Sequence, residues 1–223
     1  DTLQQTVLRS AMRRNGYIHL PNLLGDVSSL ALIVDDLERE GLPAQFMLLF
    51  DEVWEAVHSV DTTLAPLFGL QNIQDFYVFN VRPGAAGWPI HRDRSGGESD
   101  GFSATTSLPL YTTVWMALTD ASTRTSCIYC IPAHADINYA SQGSEDVASA
   151  ILASSHQHVT ALPVLQGGVL AWSHRLLHWG SASPPEAPAA RKALAFTMAD
   201  PEFEPPSIIS TGTSAPPFEA RMA

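Results

Sequence analysis

The chain has 223 residues, enough for one domain with a sizeable buried core. Hydrophobic residues make up 45% and charged residues 16%, a globular composition whose apolar stretches fall short of the roughly 20 residues a membrane-spanning helix needs. Twelve Lys and Arg against 23 Asp and Glu leave a formal net charge of -11, which disfavours nucleic acid as the main partner and favours a small molecule.

In chain order, Leu3, Val7, Leu8 and Met12 recur at helical spacing and predict a first helix, which Gly16 ends before a short strand at Tyr17-Ile18-His19-Leu20. A second amphipathic helix is expected over about 27–40, with Leu30, Ile33, Val34 and Leu37 on one side, and a third over about 46–58. From Asp75 onward, short runs of β-branched and aromatic residues alternate with Gly, Pro and Ser clusters, the pattern of an antiparallel β fold. Strands are expected at 76–82, 112–118, 126–131, 159–162, 169–172 and 191–198. Residues 95–107 and 143–155 are candidate lids, the second helical from 144, and the Pro-rich tail after Pro201 reads as extended. The expected organisation is a single domain: a mostly helical support over 1–74, a β core over 75–200 and a tail over 201–223. Helices followed by strands imply a mainly β, barrel-like architecture with supporting helices.

Two cysteines, Cys127 and Cys130, are too few for a disulfide framework and suit an intracellular, reducing compartment. Their spacing could suggest a redox or zinc site, but Ser126-Cys127-Ile128-Tyr129-Cys130-Ile131 reads as a strand. Positions i and i+3 of a strand point to opposite faces, so the thiols are not expected to converge.

Eight histidines are present, and most lone histidines are ordinary hydrogen-bonded residues. His91 and Asp93 form a His-x-Asp pair in which, on an extended backbone, both side chains face one side and can grip one ion. A further histidine from a distant strand would complete two nitrogens and one carboxylate on one face of an octahedron, leaving the other face open. Gly167-Gly168-Val169-Leu170-Ala171-Trp172-Ser173-His174-Arg175-Leu176-Leu177-His178-Trp179-Gly180 offers a Gly turn, a strand and two candidates, His174 and His178. Of these, His178 is preferred because Trp-Gly follows it and Arg191 stands downstream in register. Arg191 enters an apolar run, where a guanidinium needs an anion, and its planar fork matches a carboxylate. Asn80 is a polar interruption of an apolar strand and a candidate pocket-facing amide. His134 reads as a loop residue, and His19, His58, His156 and His158 as structural or exposed.

These motifs resemble the phytanoyl-CoA dioxygenase-like family of Fe(II)/2-oxoglutarate-dependent oxygenases. Asn15-Gly16-Tyr17-Ile18-His19-Leu20-Pro21 is similar to the family's opening strand, Val114-Trp115-Met116-Ala117-Leu118-Thr119-Asp120 to its central one, and the stretch from Thr125 to His134 to one that usually ends Pro-Gly-Ser-His. The resemblance implies a double-stranded β-helix (a cupin-like jelly roll) with iron held by His91, Asp93 and His178 in a catalytic role. It also implies 2-oxoglutarate and O2 as cosubstrates, Arg191 on the 2-oxoglutarate carboxylate, Trp115 in the pocket wall, and oxidation of a small organic substrate with release of succinate and CO2. Arg92 stands where the family often has glutamine, Gly180 where it often has serine, and Ala133 where it usually has glycine. A cupin-like metalloenzyme that does not use 2-oxoglutarate and a non-catalytic ligand-binding jelly roll are the alternatives. The substrate and the oligomeric state are not legible, although peptides and acyl carriers compete with small molecules for the substrate.

Overall fold

The computed structural model describes residues 2–94, 101–139, 156–204 and 215–222. The candidate lid over 143–155 and residues 205–214 and 223 of the tail lie outside the described residues, as do positions 95–100 of the other lid.

Helix α1 spans Leu3–Asn15, opened by a capping box between Thr2 and Gln5 and closed by Gly16 at φ 78°, a left-handed conformation that glycine adopts without a Cβ penalty. Strand β1 (Tyr17–Leu20) and helix α2 (Ser28–Arg39) follow as expected. The third helix differs from its prediction. A 3-10 turn over Ala44–Leu49 precedes α3, which runs Asp51–Phe68 and continues well past His58. Val53, Val57, Val60, Leu64 and Leu67 bury one stripe of α3. The sequence hides this continuation behind Thr62, Thr63 and Pro66, which have low helix propensity but sit where packing of the apolar stripe decides.

After β1 come β2 (Gln71–Val81), β3 (Trp88–His91), β4 (Tyr111–Ala117), β5 (Ile128–Ile131), β6 (Thr160–Leu162), β7 (Val169–Ser173), β8 (Leu177–Gly180) and β9 (Arg191–Ala199). Among the described residues these nine strands form two antiparallel sheets, the larger in the order β1-β7-β4-β9-β2 and the smaller β3-β8-β5-β6. This is a double-stranded β-helix supported by helices on one side.

Alternation along the strands separates two cores. Val114, Met116, Leu194, Phe196 and Met198 of the larger sheet pack with Val34, Val57 and Leu64 of the helices. Trp115, Leu170, Trp172, Ala193 and Ala195 turn the other way, onto Cys127, Ile128, Cys130 and Leu162 near or on the smaller sheet. Full burial of each large apolar side chain contributes about 1.5–3 kcal/mol, so both faces hold the sheet in register. Cys127 and Cys130 are free, buried members of the inner core rather than a disulfide.

Candidate active site

His91 ends β3, His178 lies in β8, and the two are directly paired across the strands. That register brings their rings together, with centroids 4.3 Å apart. Asp93 follows two residues after His91. Its Oδ1 is 3.4 Å from His91 Nε2 and 3.6 Å from His178 Nε2, and the three potential ligand atoms all lie within 4.8 Å of one another.

Surrounding groups fix which atoms are free to bind. His91 Nδ1 is 2.7 Å from the Pro89 carbonyl and His178 Nδ1 is 2.9 Å from the Leu176 carbonyl. Each Nδ1–H therefore donates to backbone, and the lone pair is left on Nε2. Asp93 Oδ2 accepts from Thr113 Oγ1 at 2.6 Å and Trp172 Nε1 at 2.9 Å, so Oδ1 is the oxygen turned toward the imidazoles. Burial works to raise the Asp93 carboxyl, but the nearby His178 and His91 and the Thr113 donor hold it down at about 2. Burial lowers the basicity of His178, favouring the neutral, ligating form. Two imidazoles and one carboxylate with an open side form the donor set of a facial triad for iron(II).

These groups line a cavity of about 260 Å³ together with Trp115 and Arg191. Arg191 begins β9 and is only 2% exposed. Its Nε donates to the Ser126 carbonyl at 3.0 Å, while Nη1 is buried and has no hydrogen-bond partner among the described residues. The guanidinium carbon lies 5.5 Å from the Trp115 ring centroid and 5.7 Å from that of Phe79. Burial pulls the Arg191 pKa down to about 10, which still leaves it charged at neutral pH. A buried cation with an unused donor on a cavity wall suits a carboxylate-bearing small molecule. Ser126, at φ 63° without being glycine, holds the carbonyl that orients Arg191, and nothing in the sequence announces that role.

Other sequence-predicted positions fall into place less evenly. His174 does not join the triad. It is 3% exposed among Phe102, Tyr111 and Phe203, its Nδ1 faces the Tyr111 carbonyl, and burial drives its pKa down to about 4. Asn80 was expected to face the pocket, and the structure corrects this. Phe79 lines the cavity, so its neighbour projects from the opposite face of β2, where Asn80 Nδ2 donates to Glu38 of α2 at 2.9 Å. Arg92, between the two first ligands, also points elsewhere and pairs with buried Asp136 at 2.8 Å. Gly180 lines the cavity; a Cβ there would sit 3.5 Å from Arg191 Nη2 and 3.4 Å from the Trp88 nitrogen. His134 contacts the Arg14 carbonyl at 3.3 Å, in keeping with a loop role. Thr113 and Trp172, the two groups that hold Asp93, were missed because a Thr and a Trp inside apolar strands carry no outward sign of a carboxylate partner.

A His–Asp–His set in the mouth of a double-stranded β-helix defines the class of non-haem oxygenase scaffolds. The sequence matches the phytanoyl-CoA dioxygenase family (PhyH) over residues 34–184, a span that includes all three triad residues, and the chain belongs to that family. A comparison with curated proteins gives no match. Among solved structures, the chain is similar to the non-haem α-ketoglutarate-dependent carbocyclase SnoK from nogalamycin biosynthesis, with TM-score 0.64 and 21% identity over 87% of this chain and 83% of that one. It is also similar to AviO1 from Streptomyces viridochromogenes Tue57, with TM-score 0.66 and 18% identity over 92% and 99% of the two chains. HygX from Streptomyces hygroscopicus, solved with nickel and 2-oxoglutarate bound, gives TM-score 0.61 and 16% identity over 89% and 87%. At these identities the likeness speaks for the fold.

Proposed function

We propose that the protein is an Fe(II)- and 2-oxoglutarate-dependent dioxygenase that hydroxylates a small organic substrate. Family membership supports the oxygenase class, and the observation that carries the cosubstrate is the buried Arg191 with its unpartnered Nη1 in the triad's own cavity. When bound, iron(II) and 2-oxoglutarate supply the oxidation by O2, with succinate and CO2 as co-products.

The chain's own groups bind and orient. His91 Nε2, His178 Nε2 and Asp93 Oδ1 would hold the metal, each locked by a hydrogen bond at its other heteroatom. Arg191 would hold the far carboxylate of the cosubstrate against the ring of Trp115. Aromatic walls from Phe79, Trp115 and Trp172 exclude water from the reacting face. A cupin-like enzyme indifferent to 2-oxoglutarate, or a silent binding module, would leave Arg191 a buried charge without an anion.

The test begins with anaerobic addition of iron(II) and 2-oxoglutarate, which should give the weak visible charge-transfer band of the chelate; folded, metal-loaded protein without that band would overturn the reading. His178→Ala should reduce succinate release to background while His174→Ala retains it, and the reverse result would move the third ligand.

A further inference from the structure

The cavity has an inner end, where Arg191 sits with Phe79 and Trp88 beside the triad, and an outer end formed by Asp75, Tyr77 and Tyr111. We infer that the outer end binds a small organic cation, a protonated amine on an apolar or ring-shaped body, and that Asp75 is the residue that selects it. This rests on the proposal that the inner end is filled by iron(II) and 2-oxoglutarate.

Asp75 is aimed by the backbone. The pairing of β2 with β9 slips between Asn72 and Phe76, and Gln74, immediately before Asp75, adopts φ 60° with its N–H held by Asn72 Oδ1 at 2.8 Å. A non-glycine residue in that region costs on the order of 1 kcal/mol or more, and such bulges recur beside sites because they redirect a side chain. Here the redirected group is a carboxylate on the cavity wall, in line with Tyr77 and Phe79 on the same side of the strand.

Asp75 accepts a hydrogen bond from the Tyr77 hydroxyl, and among the described residues no Lys or Arg forms an ion pair with it. Arg94, whose charge it feels, pairs with Glu204. Burial, with Glu204 and Asp93 nearby, raises its pKa against the pull of Arg94. Iron(II), Asp93, a dianionic cosubstrate and Arg191 cancel one another in formal charge, so Asp75 is the charge an incoming substrate meets. Aromatic rings stand beside it: Tyr77, 51% exposed, and the cavity-lining Tyr111, whose hydroxyl feels its charge. Exposed aromatic faces beside a carboxylate attract an ammonium group and cover an apolar body.

The same surroundings disfavour a phosphate-bearing carrier. Arg191 is the only Lys or Arg among the described lining residues, and it lies at the inner end. A polyanionic carrier would find no fixed cation to dock on.

The probes are three molecules with one ring and different heads: cyclohexylamine, cyclohexanol and cyclohexanecarboxylate. Each is titrated into the full chain under anaerobic conditions, with iron(II) and 2-oxoglutarate present, and followed by tryptophan fluorescence. The charge-transfer band is recorded first; if it is missing, the oxygenase reading fails before the substrate is tested. With the band present, cyclohexylamine should bind about ten-fold more tightly than cyclohexanecarboxylate. Asp75→Asn should shrink that gap to about two-fold while cyclohexanol binds as before, which also shows that the variant is folded. Should Asp75→Asn not fold, raising the salt concentration on the unaltered protein must narrow the same gap. Equal binding of amine and carboxylate, a preference for the carboxylate, or a gap indifferent to both Asp75→Asn and salt would overturn the inference.

Discussion

Arg191 and Lys192 are adjacent in sequence and almost fully buried, yet they lie on opposite faces of the larger sheet. Lys192 turns toward the helices and meets Asp35 of α2 at 2.5 Å. Arg191 turns inward and keeps one donor without a partner among the described residues. The helix-side face thus satisfies its buried charge within the chain, as a face whose work is stability must. The inner face leaves a cation incompletely paired, a cost that makes sense only if a ligand completes it. On the outer face Asn80 donates to Glu38, and on the inner face Thr113 and Trp172 hold Asp93 Oδ2 and leave Oδ1 turned to the imidazoles.

The largest effect that separates the faces is expected at Arg191. Arg191→Ala should raise the KM for 2-oxoglutarate by about one to two orders of magnitude, with Arg191→Lys recovering only part of it. Iron affinity should change little, because the guanidinium makes its hydrogen bonds to Ser126 and not to the triad. Asp35→Asn is the counterpart on the other face. Losing the partner of a buried ammonium should cost about 1–2 kcal/mol in urea unfolding, a figure reduced because Asp35 is 45% exposed, while the KM for 2-oxoglutarate stays put. If Asp35→Asn moved that KM as Arg191→Ala does, the division between the faces would break.

Much of this division was legible in the sequence. Strand alternation placed His91 with Asp93 and set Arg191 apart as a cation entering an apolar run, and the resemblance to the oxygenase family singled out Trp115. What escaped were the two short strands that carry the ligands, β3 and β8. Each is four residues long, and β3 contains Pro89, so neither shows a period long enough to announce itself, although their cross-strand pairing is what joins His91 to His178. Asn80 failed for a different reason. A polar residue in an apolar strand signals a partner but not which side the partner is on, and Glu38 lies 42 positions away on a helix whose docking no local pattern reveals.

A smaller effect is expected where the inner face holds the metal ligand indirectly. Thr113→Val removes one of two donors to Asp93 Oδ2 and keeps the side chain's shape. The remaining bond from Trp172 still orients the carboxylate, so iron(II) affinity, measured by competition with a chelator, should fall by about ten-fold. The KM for 2-oxoglutarate at saturating iron should follow only weakly. Trp172→Phe removes the other donor and should give a loss of similar size, and the double variant should lose more than either alone, since each donor then stops covering for the other. Unchanged affinity in both single variants would mean that Asp93 is held by the metal itself and not by the face behind it.

The smallest change is predicted at Asn80. Asn80→Ala deletes its hydrogen bond to Glu38, but Glu38 keeps its ion pair with Arg82 and is 30% exposed, so its carboxylate is not stranded. The variant also removes Asn80 Oδ1, which is buried without a partner among the described residues, and that relief offsets part of the loss. The net cost should be under about 1 kcal/mol in urea unfolding, with 2-oxoglutarate KM and iron affinity both unaltered. Phe79, one residue earlier, supplies the sharper half of the test because its ring lies 5.7 Å from the Arg191 guanidinium. Phe79→Leu should raise the 2-oxoglutarate KM by about three-fold through the loss of a cation–π contact in the cavity wall. A response at Asn80 as large as that at Phe79 would mean the amide reaches the cavity after all, and the two faces of β2 would no longer be separate.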